Sequence, residues 1–116
     1  MDRSLRVADV LADAISNILE SRGTARHWDD IRSTAIAAWA LSDVLTCGGA
    51  PSESLREVRA ALRDAQLWLA GKAKREEGGA SWESEGWDTA LSIIALCSSE
   101  EFAERVDQAA AWLHRI

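Results

Sequence analysis

The sequence predicts an all-α fold of about five helices that alternate as outer and inner members of helical hairpins. Composition is the first reason. With 21 alanines and one proline in 116 residues, the chain favours helix, because alanine loses no side-chain entropy there and proline lacks the N–H a helix needs. Periodicity is the second: apolar residues recur at three- and four-residue spacing in five segments, the signature of one helix face. The third is internal similarity, since two segments about 55 residues apart spell alike. The length suits one domain, and 47% hydrophobic with 28% charged residues is the balance of an ordinary globular chain.

Leu5, Val7, Ala8, Val10, Leu11, Ala14, Ile15, Ile18 and Leu19 make the apolar face of a first helix near 3–21, ended before Gly23. A second helix, near 30–46, starts at Asp29 or Asp30, whose carboxylate can accept the free N–H groups of the first turn. It runs through Ile31, Ala35, Ala38, Trp39, Leu41 and Leu45 to a Gly48-Gly49 stop. Its middle is apolar nearly all round, which predicts a helix covered on every side.

Pro51 and the capping-box spelling Ser54-Leu55-Arg56-Glu57 open a third helix near 52–70. Leu55, Val58, Leu62, Ala65 and Leu69 are its buried stripe, with Arg56, Arg59, Arg63 and Asp64 outside. The glycines and charge run of 71–86 predict a long loop. Asp88 then caps a fourth helix near 88–97, apolar on most sides. A second capping box, Ser98-Ser99-Glu100-Glu101, introduces a fifth near 99–115 with Phe102, Val106, Ala109 and Leu113 as its stripe.

The net charge of −6 repels phosphate backbones, which excludes nucleic acid as an expected partner. The longest apolar run, 35–41, is far below the roughly 20 residues of a membrane span, and no signal segment opens the chain. A cytoplasmic protein is expected. Cys47 and Cys97 have no Cys or His at ligand spacing and are read as buried, reduced thiols.

Thr34-Ala35-Ile36-Ala37-Ala38-Trp39-Ala40-Leu41 aligns with Thr89-Ala90-Leu91-Ser92-Ile93-Ile94-Ala95-Leu96 at a spacing of 55, Trp28 with Trp82 at 54, and Ala65-Gln66-Leu67-Trp68-Leu69 matches Ala109-Ala110-Ala111-Trp112-Leu113. Each repeat is then an outer helix, a tryptophan-bearing loop and an inner helix, a unit that buries its apolar face only by stacking on neighbours.

These residues resemble the helical-hairpin repeat of the squalene-hopene cyclase and protein prenyltransferase superfamily, and the resemblance implies part of an α/α toroid. The segment from Trp87-Asp88-Thr89-Ala90 to Leu96 looks like the inner-helix segment of bacterial triterpene cyclases. Ala65-x-x-Trp68-Leu69 followed by Gly79-Ala80-Ser81-Trp82 looks like their outer-helix tryptophan repeat. Two departures stand out: Lys72 occupies the place of the usual glutamine, and the usual Gly-x-Trp is stretched by one residue.

Those cyclases protonate an alkene from an Asp-x-Asp-Asp element, which needs a carboxylic acid kept protonated by its surroundings. The nearest spellings, His27-Trp28-Asp29-Asp30 and Glu85-Gly86-Trp87-Asp88, are not that motif. Asp88, Asp29 and Asp30 are at most remnants of the acid position, and helix capping accounts for them. The zinc ligands of prenyltransferases and lanthionine cyclases have no counterpart here. Asp43 and Cys47 share a helix face, but His27 and His114 are read as solvated at helix ends, so neither a metal nor a cofactor is expected.

The resemblance makes Trp39 and Trp87 the wall of an apolar cavity, and a buried Trp87 would cost about 3–5 kcal/mol on truncation to alanine. Trp28, Trp68, Trp82 and Trp112 would staple adjacent repeats through a large ring with one donor. Trp87, Trp39, His27, Trp28 and Trp82 are the candidate binding residues. A closed toroid takes several hundred residues, so one copy of this chain cannot enclose a substrate. The expected function is therefore a non-catalytic helical repeat module for protein–protein contact, self-association or binding of an apolar small molecule, as an accessory domain of a larger bacterial-type multidomain protein. The alternative is a fragment or subunit of an isoprenoid-processing, terpene cyclase-like enzyme.

Overall fold

The computed structural model describes residues 3–116, and side chains from Asp9 onward. The chain runs α1 (Arg3–Ser21), α2 (Ile31–Cys47), α3 (Leu55–Lys72), β1 (Lys74–Glu76), β2 (Gly79–Ser81), α4 (Gly86–Leu96) and α5 (Ala103–Arg115), with 3-10 turns at Ser52–Ser54 and Glu100–Phe102. It is predominantly α-helical. Of the stripe predicted for the first helix, Leu5, Val7 and Ala8 lie outside the described side chains.

The core is built on α2 and α4. Arg32, at the start of α2, bonds Asp88 and Glu85 at the start of α4, so the two packed helices run side by side in the same direction. Small residues lie in the buried faces of both helices, Ala35 and Ala38 of α2 and Ser92 and Ala95 of α4, beside the fully buried Leu41 and Leu96. The face of α3 that carries Val58, Ala61, Ala65 and Leu69 closes one side, packing on both. Gln66 of α3, itself buried, donates from Nε2 to the Ala95 carbonyl (3.0 Å) and to Ser98 Oγ (3.2 Å), pairing one of the last carbonyls of α4 that has no helical partner. Arg63 of α3 is ion-paired with Glu101.

Several local expectations are corrected. The segment 71–86 is not a long loop: α3 continues to Lys72, and an antiparallel hairpin follows, with Lys74 paired to Ser81 and Glu76 to Gly79. The alternation that would betray so short a pairing is absent from Lys74-Arg75-Glu76, because this strand faces water. Glu85, not Asp88, caps α4, and its side chain accepts from the Asp88 N–H. Neither Ser54 nor Ser99 makes a side-chain cap bond, because each chain entry is a 3-10 turn that orients the serine away from the helix N–H groups. Asp30 does cap α2, accepting from Ser33 N, and Gly48 ends it in the left-handed conformation with φ 71°. Cys47 and Cys97 are exposed free thiols rather than buried ones, since both lie at helix C-termini where the chain leaves the core.

The caps carry a pH dependence. The Ser33 N–H holds the Asp30 carboxyl below its ordinary value of 3.8, and the Asp88 N–H holds Glu85 below 4.5. In the hairpin the Ser84 and Ser81 hydroxyls do the same for Glu76. Each group binds its proton more weakly folded than unfolded. Its contribution is therefore fully present above the unfolded value and is lost as pH falls through the folded one. Urea midpoints should be flat between pH 6 and 7 and fall below about pH 4.5; a midpoint that rises on acidification would contradict these caps.

Candidate functional site

Two tryptophans hold the chain together in the same way. Trp28 donates from Nε1 to the Ile18 carbonyl (3.0 Å), and Trp82 donates from Nε1 to the Leu69 carbonyl (2.7 Å). Ile18 and Leu69 are each the fourth residue from the end of their helix. Each indole thus ties down a carbonyl in the last turn of the preceding helix while its ring is buried. At Ile18 the Ser21 hydroxyl joins the same cluster, donating to the carbonyl at 2.7 Å and accepting from Trp28 Nε1 at 2.8 Å. The same residues are anchored again through the backbone. Thr34 Oγ1 accepts from Trp28 N and Thr89 Oγ1 from Trp82 N, both at 2.9 Å, and each hydroxyl donates back to the carbonyl of the same tryptophan.

The connections lean on the next helix along. His27 stacks on Trp68 of α3 with ring centroids 4.2 Å apart, Lys72 lies 5.3 Å above that same indole, and Arg22 reaches Asp64 at 3.6 Å. His27 is therefore half-buried rather than solvated, with its Nδ1–H donating to the Trp28 carbonyl at 2.6 Å. The hairpin packs likewise on α5, where Gly79 sits against the backbone of Gln108 and Trp112. Trp28, Trp82 and Trp112 are buried, whereas His114 is exposed.

Trp39 and Trp87 are placed differently from the rest. Neither is buried: Trp39 is 43% and Trp87 70% exposed. Reading α2 as a helix covered all round is thus corrected. The stripe Arg32, Ile36, Trp39 and Asp43 faces outward at helical spacing, with Ile36 47% exposed. The buried side of the helix is Ile31, Thr34, Ala35, Ala37, Ala38 and Leu41, in which alanine is the commonest residue. On α4 the equivalent positions are Trp87, Leu91 and Ile94, of which Trp87 and Ile94 are exposed and Leu91 is half-buried against the core. Because α4 lies beside α2 in the same direction, the two stripes share one side of the molecule. Truncating Trp87 consequently removes little core.

Asp88 lies at the N-terminal end of this surface, where Oδ1 accepts from Arg32 Nε at 2.9 Å. The Glu85 carboxylate shares the same guanidinium at 3.4 Å. Asp30, Ile31, Arg32, Glu83 and Asp88 line a cleft of about 350 Å³ there. Asp29 is exposed and makes no side-chain hydrogen bond or ion pair among the described residues. Of the three acid candidates, then, one caps a helix, one is ion-paired and one is solvated. A second cleft, about 430 Å³, lies between the hairpin and α5 and is lined by polar groups such as Arg75, Glu76, Glu104 and Arg105. Among the described residues no group of three or more His, Cys, Asp or Glu side chains converges as a metal site, and no helix is long and apolar enough to cross a membrane.

Sequence reasoning missed Arg32 as the tie between the two helix starts, and Ile36 and Ile94 as surface. For α2 the signal was available, since Arg32 and Asp43 flank Ile36 and Trp39 at four-, three- and four-residue steps and put two charges on that face; the face that carries Ile94 has no such charge. No protein family, curated protein or solved structure matches this chain.

Proposed function

We propose that this chain is a non-catalytic helical-repeat module that docks a partner protein or an apolar ligand on the surface shared by α2 and α4. The observation that carries this reading is the placement of Trp39, Trp87, Ile36 and Ile94, all exposed, on one continuous face of two packed helices. Large apolar groups scattered singly on a surface need no explanation, but a contiguous group rimmed by charge does. The matched bonds of Trp28 and Trp82 support a repeated hairpin, part of an α/α toroid with α2 and α4 as its inner layer. Exposed free thiols suit a reducing, cytoplasmic setting.

A fragment or subunit of an isoprenoid-processing, terpene cyclase-like enzyme is the weaker reading. It would need an acid free to meet substrate, and Asp88 is engaged by Arg32. The docking reading is tested with the double variant Trp39→Ala/Trp87→Ala. It should melt within about 1 kcal/mol of the parent, as surface substitutions do, while losing the fluorescence of an anilinonaphthalene dye added to dilute protein. Unchanged dye binding would put the docking surface elsewhere, and loss of the cooperative melt would make this face structural.

A further inference from the structure

We propose that the occupant of the α2–α4 face is a second copy of this chain, docked face to face about a two-fold axis that crosses both helices. The inference rests on the docking reading above and names its partner. The stripe on α2 reads Arg32, Ile36, Trp39, Asp43: a cation, two apolar residues, an acid. Its outer and inner pairs are centred on one point, midway between Ile36 and Trp39. A second α2 laid antiparallel over that point sets Arg32 against the partner's Asp43 and Ile36 against the partner's Trp39. By symmetry each contact occurs twice, as an isologous interface requires.

The stripe on α4 obeys the same axis. Leu91 and Ile94 are centred on the same level as Ile36 and Trp39, so the axis sets the exposed Ile94 against the partner's Leu91, which is half-buried, and brings Trp87 over the chain just past the end of the partner's α4. A parallel arrangement would instead stack like charge over like charge at both ends of α2.

The charged ends are available for this. Arg32 spends Nε on Asp88 and Nη2 on Glu85, its Nη1 makes no bond among the described residues, and its side chain is 54% exposed. Asp43 is exposed and has no hydrogen bond or ion pair among the described residues. The area is also of the right order. The exposed parts of Trp39, Trp87, Ile36 and Ile94 amount to about 400 Å² of apolar surface, the core of an interface that for a stable dimer covers about 800 Å² per partner.

Sedimentation equilibrium on the full chain is the test, with the variants Asp43→Arg and Trp87→Ala run beside it. The parent should sediment at twice its 12.6 kDa and dissociate on dilution. Asp43→Arg sets like charges together at both ends and should raise the dissociation constant about 100-fold, with the circular-dichroism melt of the monomer unchanged. Trp87→Ala should weaken the dimer as well, and it stands as the test if Asp43→Arg fails to fold. A parent that stays monomeric at the highest attainable concentration overturns the inference, as does a dimer indifferent to both variants. In either case dye binding that still depends on Trp39 and Trp87 leaves the docking reading intact, whereas dye binding indifferent to them removes that reading too.

Discussion

Truncating Trp82 to alanine is expected to cost about 4–8 kcal/mol, the largest loss from any single side chain in the molecule. The indole is fully buried, and removing so large a ring from a core costs about 3–5 kcal/mol. Its Nε1 is also the partner of the Leu69 carbonyl at 2.7 Å. Once the indole is gone that oxygen is buried without a donor, a further penalty of about 1–3 kcal/mol. Domains of this size are stable by about 5–15 kcal/mol in all, so the variant should be largely unfolded near 37 °C. Urea titration followed by far-ultraviolet circular dichroism reads the loss directly. Trp82→Phe separates the two contributions. It retains most of the ring and loses the donor, so it should cost about 1–3 kcal/mol. A Trp82→Ala loss below about 2 kcal/mol would mean that this indole does not hold α3, the hairpin and α4 together.

Replacing Gly79 with alanine is expected to detach the hairpin from α5 at a cost of about 2–6 kcal/mol. Gly79 has φ 149°, where side chains are rarely found, and that strain alone costs about 1–3 kcal/mol. A Cβ there would also collide with the Gln108 carbonyl oxygen and stand 3.0 Å from its carbon and 3.2 Å from Trp112 N. These are backbone atoms of a helix and cannot rotate aside, so overpacking adds about 1–3 kcal/mol. Gly71 is the control. It lies in α3 with nothing within 4 Å of an added Cβ, so Gly71→Ala should stabilise by about 0.4–1 kcal/mol through the unfolded chain. Amide exchange should show the damage of Gly79→Ala concentrated in the hairpin and α5. Equal destabilisation by both glycine variants would contradict this packing.

Both expectations concern the connections between helices, and those were the least legible part of the chain. The helices themselves were readable because a stripe at three- and four-residue spacing has one physical meaning. Val58, Ala65 and Leu69 face the core as their spacing predicts, as do Phe102 and Ala109. Trp28 and Trp82 were readable as staples because they align with each other, although the carbonyls they reach could not be named. The hairpin was not readable: two strands of three residues, one of them solvated, leave no alternation to detect. Asp88 looked like the cap of α4 because aspartate before a threonine and an apolar run is a common helix start. The helix begins one turn earlier, after Glu85, because Glu83 and Ser84 adopt left-handed conformations, with φ 57° and 52°, and turn the chain early.

Local pattern thus decides which residues are helical and which two tryptophans hold equivalent places, because a stripe and a repeat are both read along the chain. It leaves to the tertiary structure which threonines those tryptophans bond. It cannot decide whether an apolar residue on a nearly all-apolar helix faces core or water. Trp39 and Trp87 are as hydrophobic as Trp82, yet the close approach of α2 and α4 through alanine and serine leaves no room for rings between them. The rings are displaced to the outer face, and the candidate docking surface exists because of that packing.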